Sequence, residues 1–128
     1  MQLFKNKPFA RFARKAGLED VDLCEAVDRI NRGLIDADLG GGLIKQRIAR
    51  PGAGRSGGFR TLIVCRMRER AFFVHGYAKN ERDNIRDDEL IALRKLAATL
   101  LADDDEALAV SLASGTLIKV ICDDQAVS

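Results

Sequence analysis

The sequence predicts an α+β fold: N-terminal helices packed on a small antiparallel sheet, followed by a C-terminal helix and a short strand. Three observations predict it. Apolar residues recur at helical spacing over residues 8–34 and again from residue 87. Between these segments lie three stretches with the composition and alternation of strands, separated by glycine-rich or very short connections. The chain has 128 residues, 47% of them hydrophobic, which suits one core and leaves no room for a second. A single domain over residues 1–128 is expected, with an acidic C-terminal segment from about residue 103.

Residues 2–5 suit a short first strand. Pro8 then opens a helix in which Phe9, Phe12, Ala13 and Ala16 share a face, and Gly17 ends it. Asp20 can cap a second helix with an apolar stripe of Leu23, Val27, Ile30 and Leu34, and Gly33 marks its end. Gly40-Gly41-Gly42 breaks the pattern before Leu43-Ile44-Lys45-Gln46-Arg47-Ile48, which alternates as a strand does. Residues 50–58 contain no large apolar side chain and read as a mobile loop. Phe59 to Arg66 and Arg70 to Ala78 are two more strands, joined closely enough for an antiparallel hairpin, so three successive strands form a meander. Asp87 can cap a helix with Asp88 and Glu89 at its start and Leu90, Leu93, Ala97 and Leu100 facing inward. The run Asp103-Asp104-Asp105-Glu106 suits the start of another helix, ending near Gly115, and Thr116 to Ile121 reads as a last strand before a loose tail.

The net charge of +2 conceals an asymmetry. Residues 1–82 hold 17 Lys and Arg against 9 Asp and Glu, a surplus of +8; residues 83–128 hold 4 against 10, a deficit of −6. Residues 42–82 alone carry ten basic side chains and two acidic ones, Glu69 and Glu81, which is a footprint for a polyanion. No apolar run is long enough to span a bilayer and the N-terminus lacks the apolar stretch of a signal peptide, so the cytoplasm is the expected location. Cys24, Cys65 and Cys122 are widely spaced and His75 is the one histidine, a poor set for a zinc cage. No metal or cofactor is expected, and all three cysteines are read as reduced fillers of the interior.

Side chains two apart in a strand share a face, which groups Lys45 with Arg47 and His75 with Tyr77 and Lys79. Phe72, Val74, Gly76 and Ala78 would then face the helices and leave His75, Tyr77 and Lys79 on an open side. Arg60, on the middle strand, could meet Lys45 or Arg47 on one side and Tyr77 on the other. Such a face would carry cations, a phenol and an imidazole without a carboxylate. This set suits RNA cleavage by a ribose 2′-OH: cations stabilise the charge gathering on the phosphate, and Lys, Tyr and His can carry protons, each worth about 10²- to 10⁴-fold when well placed. A lysine acts as a base only if its surroundings depress its proton affinity. Taken singly, a half-exposed strand Lys or Arg is more often merely solvated; the shared face is what points to chemistry.

The segments Lys45-Gln46-Arg47-Ile48-Ala49, Ser56-Gly57-Gly58-Phe59-Arg60 and Phe72-Phe73-Val74-His75-Gly76-Tyr77-Ala78-Lys79-Asn80-Glu81-Arg82 resemble the RelE branch of the RelE/ParE toxin superfamily, close to its HigB-like toxins. The resemblance covers about residues 7–101. It implies a small curved antiparallel sheet and a type II toxin that cuts messenger RNA on the ribosome without a metal, inhibiting translation until a cognate antitoxin, expected to be of the helix-turn-helix type, neutralises it. Arg60 matches the family's phosphate-supporting arginine, and Lys45 and Arg47 its basic positions on the preceding strand. Tyr77 and Lys79 fall where the family places catalytic or RNA-contacting groups, with His75 beside them. The expected catalytic set is thus Arg60, Lys45, Tyr77 and His75, with Arg47, Arg50, Arg55, Lys79 and Arg82 binding RNA. Two rivals remain. A ParE-type toxin would share the fold and inhibit gyrase by protein contact, and a silent RNA-binding module would only neutralise phosphates, with a salt-dependent affinity and no cleavage.

Overall fold

The computed structural model describes residues 1–49, 58–66, 68–82 and 84–122. The elements run β1 (Gln2–Asn6), α1 (Lys7–Ala16), α2 (Asp20–Asn31), β2 (Ala37–Asp38), β3 (Leu43–Ile48), β4 (Phe59–Arg66), β5 (Arg70–Ala78), α3 (Asp87–Ala102), α4 (Asp105–Ser114) and β6 (Leu117–Val120). The sheet order is β2-β3-β4-β5-β1-β6. Every pairing is antiparallel except β1 with β5, which is parallel. The fold is the expected α+β arrangement, with the meander β3-β4-β5 at its centre.

Local signals account for the helix ends. The Asn6 side chain accepts from the Phe9 backbone N–H at 2.9 Å, and Gly17, at φ 74°, closes α1 in the left-handed conformation that glycine adopts without penalty. In α2, Asp22 accepts from the Glu19 N–H at 2.8 Å, so the cap lies one residue before the expected Asp20. Asp104 caps α4 by accepting from the Ala107 N–H, and Gly115 ends it. The α2 stripe stops at Ile30: the helix ends at Asn31, and Leu34, expected inside, is 56% exposed. The short strand β2, which no sequence pattern announces, comes next. Most of the loop expected at 50–58, and the tail after Cys122, lie outside the described residues.

Helices cover both faces of the sheet, not one. Phe9, Ala13, Leu23, Val27 and Ile30 of α1 and α2 pack with Ile44, Ile63 and Phe73. Leu93, Ala97, Leu100 and Leu108 of α3 and α4 pack with Leu43, Leu62, Val64, Phe72 and Val74 on the other side. Phe72 and Phe73 thus anchor opposite cores, the first stacked on Phe4 and the second tilted against Phe9. The strict alternation expected for β5 fails at Val74. Leu62 pairs with His75 and Ile63 with Phe73, so Val74 is the extra residue of a β-bulge. Beyond it the parity changes: His75 and Tyr77 lie on the α3 side with Phe72 and Val74, whereas Gly76 and Ala78 turn towards α1.

Gly76 gives α1 its close approach. A Cβ there would lie 2.3 Å from Phe12 Cε2 and 2.4 Å from Cδ2. The Phe12 ring is itself held edge-on by Phe59, with centroids 5.6 Å apart. Gly76→Ala is therefore expected to displace that ring and destabilise the fold by about 1–3 kcal/mol, measurable by urea unfolding; an unchanged midpoint would show that the ring moves freely.

The cysteines depart from expectation. Cys24 on α2 and Cys122 after β6 form a disulfide across 98 residues of sequence, with Cα atoms 5.8 Å apart. Only Cys65 is a buried free thiol, and burial pushes its pKa up to about 11, so it is inert. The segment just after β6 is further held by the Ile121 N–H, which donates to Asp20 at 3.0 Å, while Asp20 also pairs with Lys5. Among the described residues no helix is long and apolar enough to cross a membrane.

Candidate nucleic-acid interface

The meander places Arg47, Arg60 and Tyr77 in one cross-strand row on β3, β4 and β5, and Lys45, Leu62 and His75 in the next. Adjacent strands lie about 4.8 Å apart, so each row spans about 10 Å. Lys45, Arg47, Arg60, His75 and Tyr77, all singled out from the sequence, therefore share one patch on the α3 side of the sheet. Lys79 comes directly after β5, where its backbone N–H donates to the Gly58 carbonyl. Arg50 and Arg55 lie outside the described residues.

Two members of the patch are buried and incompletely satisfied. Arg60 is 8% exposed and Tyr77 5%. Arg60 Nε lies 3.8 Å from Asp36 Oδ2, but its Nη1 has no hydrogen-bond partner among the described residues, and neither has the Tyr77 hydroxyl. An unpaired buried donor costs about 1–3 kcal/mol, so this pairing of a guanidinium and a phenol is an expensive arrangement for a merely structural row. Burial raises the Tyr77 pKa, with Arg60 and Arg82 opposing the shift, so the phenol keeps its proton at neutral pH.

The patch contains carboxylates, contrary to the expectation from alternation alone. Asp36 faces Arg60, and Glu89, at the start of α3, accepts two hydrogen bonds from Arg82, at 2.7 and 3.0 Å. The side chain of Arg82 also reaches His75 Nε2 at 2.9 Å and covers the Tyr77 ring at 5.0 Å from its centroid. The hydrogen bonds from Arg82 and from the Arg86 backbone hold the Glu89 pKa down to about 2, so the ion pair persists through the neutral and mildly acidic range. Burial lowers the His75 pKa against the pull of Glu89, with Arg82 adding to the lowering, and the imidazole is neutral at neutral pH.

Asp36 owes its place to Gln46, which is buried and donates to the carbonyls of Ala26 and Leu34 while accepting from the Asp36 N–H. One amide thereby ties α2, the β2 approach and β3 together. The acidic second half of the chain folds back on part of the basic stretch: Asp105 pairs with Arg70 and Glu89 with Arg82. Lys45, Arg47 and Lys79 make no ion pair among the described residues, and the first two lie on the same side of the sheet as Arg60.

A family model described as the RelE toxin of the RelE/RelB toxin–antitoxin system matches residues 1–120. The chain belongs to the RelE toxin family. It is thus the toxin of a type II toxin–antitoxin pair, with a cognate antitoxin as its partner. The match runs through α4 and β6, beyond the 7–101 span of the resemblance read from the sequence, so the acidic segment from residue 103 is included in the family's pattern. No curated protein sequence matches the chain significantly.

Proposed function

We propose that this RelE-family toxin is a metal-independent endoribonuclease that cuts messenger RNA on the ribosome, with the patch around Arg60 as its active site and the cytoplasm as its place of action. The observation that carries the reading is the pair of buried, unsatisfied polar groups, Arg60 Nη1 and Tyr77 Oη, side by side on adjacent strands. A phosphate supplies the acceptor oxygens that both lack. Arg60 would then stabilise the negative charge of the pentavalent phosphorus, with Lys45 and Arg47 from the neighbouring strand steering the RNA backbone. Lys79, just past β5, is a further candidate for RNA contact, as Arg50 and Arg55 are from the sequence alone.

In the reaction the ribose 2′-oxygen bonds to the adjacent phosphorus and the bond to the 5′-oxygen breaks. The products are a 2′,3′-cyclic phosphate and a free 5′-hydroxyl. One proton leaves the 2′-OH for a base and another reaches the departing oxygen. Tyr77, which keeps its proton at neutral pH, is suited to the second transfer, and Lys45 and His75 are the other proton carriers of the patch. A helix-turn-helix antitoxin covering the basic rows would switch the activity off.

The test is to map 5′ ends of a reporter message in a purified translation system, with and without ribosomes. New ends inside the reading frame that require both ribosomes and the protein support the nuclease. Arrested growth with intact message would favour a gyrase-directed toxin, and salt-sensitive RNA binding without cleavage at any salt would favour a silent binder.

A further inference from the structure

We propose that Arg82 and Glu89 are a positioning pair: Glu89 holds the Arg82 guanidinium, and Arg82 in turn fixes the His75 imidazole with its proton on Nδ1 and braces the Tyr77 ring beside Arg60. The effect on cleavage rests on the nuclease reading above; the positioning itself does not.

Arg82 lies just past the end of β5 and Glu89 stands in the first turn of α3. Neither lies in the cross-strand rows. A guanidinium has only donors, so its 2.9 Å approach to His75 Nε2 requires a lone pair on that nitrogen. A neutral imidazole with a lone pair on Nε2 carries its proton on Nδ1. A protonated imidazole, or the second tautomer, would set an N–H against the guanidinium donors, and Glu89 Oε2, at 3.7 Å from Nε2, is too distant to accept it in their place. The Arg82 side chain cannot swing away cheaply, since both Glu89 oxygens accept from it.

The same guanidinium lies over the Tyr77 ring, and the His75 and Tyr77 ring centroids are 6.1 Å apart. Three side chains thus form one cluster, tied to α3 through Arg82 and Glu89. The consequence for chemistry is specific. His75 offers an N–H donor at Nδ1, and its Nε2 lone pair is already engaged, so Nε2 is withdrawn from the candidates for the base that takes the 2′-OH proton.

A purely structural role, tying the connection after β5 to α3, would leave the tautomer unaffected. His75 is the chain's one histidine, so its two ring nitrogens can be read by ¹⁵N NMR without ambiguity. The variants are Glu89→Gln, which keeps an acceptor for the Arg86 N–H, and Arg82→Lys, which keeps the cation but not the fork. In the wild type at neutral pH the proton is expected on Nδ1; in both variants a substantial Nε2–H population should appear. On ribosomes kcat should fall by about 10- to 100-fold with little change in KM, the pattern of misplaced groups rather than lost binding.

A wild-type proton on Nε2 would overturn the proposal even if neither variant folds. So would variants that keep the wild-type tautomer and rate. Should the wild-type protein show the expected tautomer and its loss in the variants, yet leave the message intact, the positioning pair stands and the nuclease reading falls.

Discussion

Arg60→Ala is expected to lower the rate of message cleavage on ribosomes by about 10²- to 10³-fold, the usual cost of removing one preorganised donor from a charge-stabilising site. The expectation comes from where the side chain sits. Arg60 is buried, its nearest carboxylate, Asp36, engages only Nε at 3.8 Å, and Nη1 is unpaired. Charge held in a partly dry site acts on a phosphate more strongly than an exposed lysine can, because water screens it less. Arg60→Lys separates charge from geometry: it keeps the cation and loses the planar fork, so recovery of only part of the rate is expected. Single-turnover cleavage at saturating ribosome, with urea unfolding to check that both variants are folded, makes the measurement. An alanine variant that is folded and cleaves at the wild-type rate would remove Arg60 from the reaction. Removal of Arg60 also leaves Asp36 without its cation, but Asp36 is partly solvated, so that loss should be small.

The candidates around Arg60 are legible in the sequence because strand side chains alternate with period two and because the short β4-β5 connection, with Arg68 at φ 65° and the Glu69 N–H on the Arg66 carbonyl, makes those strands neighbours. Continued without interruption from Arg66 opposite Arg70, the pairing would set Gly76 against Arg60; the bulge at Val74 is what brings Tyr77 into the row, so the sequence names these residues without fixing their register. The bulge at Val74 is not legible, since valine is an ordinary strand residue and nothing local marks it as the extra one. Hence alternation alone groups Gly76 and Ala78 with Phe72 and Val74, although they face the other core. The sequence also hides the carboxylates. Glu89 reads as an acid placed for the helix dipole, and it does sit in that first turn; its contact with Arg82 joins the end of β5 to α3, which no helix or strand period announces. Asp36 is masked by Leu34 and Ile35, which prolong the apolar pattern of α2 although the helix has already ended at Asn31.

Reduction of the Cys24–Cys122 bond is expected to lower the free energy of unfolding by about 2–4 kcal/mol. The bond closes a loop of about three quarters of the chain, since the two cysteines are 98 positions apart among 128 residues, and long loops are where a crosslink most restricts the unfolded state. It fastens the edge of the sheet as well. Among the described residues β6 pairs only with β1, and the two residues after it, Ile121 and Cys122, are held to α2 by the Ile121 hydrogen bond to Asp20 and by the disulfide. Losing the bond should therefore free the outer strand first, as a local opening that hydrogen exchange at residues 117–120 would detect before global unfolding. Urea unfolding with and without reductant, repeated on Cys24→Ser, decides the matter: the wild type should lose stability on reduction while the variant is unaffected. Three free thiols in the untreated protein under denaturing, non-reducing conditions would show that the bond does not form. The outcome bears on the proposed cytoplasmic action, because glutathione keeps most cytosolic thiols reduced. In that compartment the toxin would work in its less stable form, with β6 held by its pairing to β1 and by the packing of Leu117 and Val120, and the proposed active-site rows on β3, β4 and β5, at the far side of β1, would remain in place.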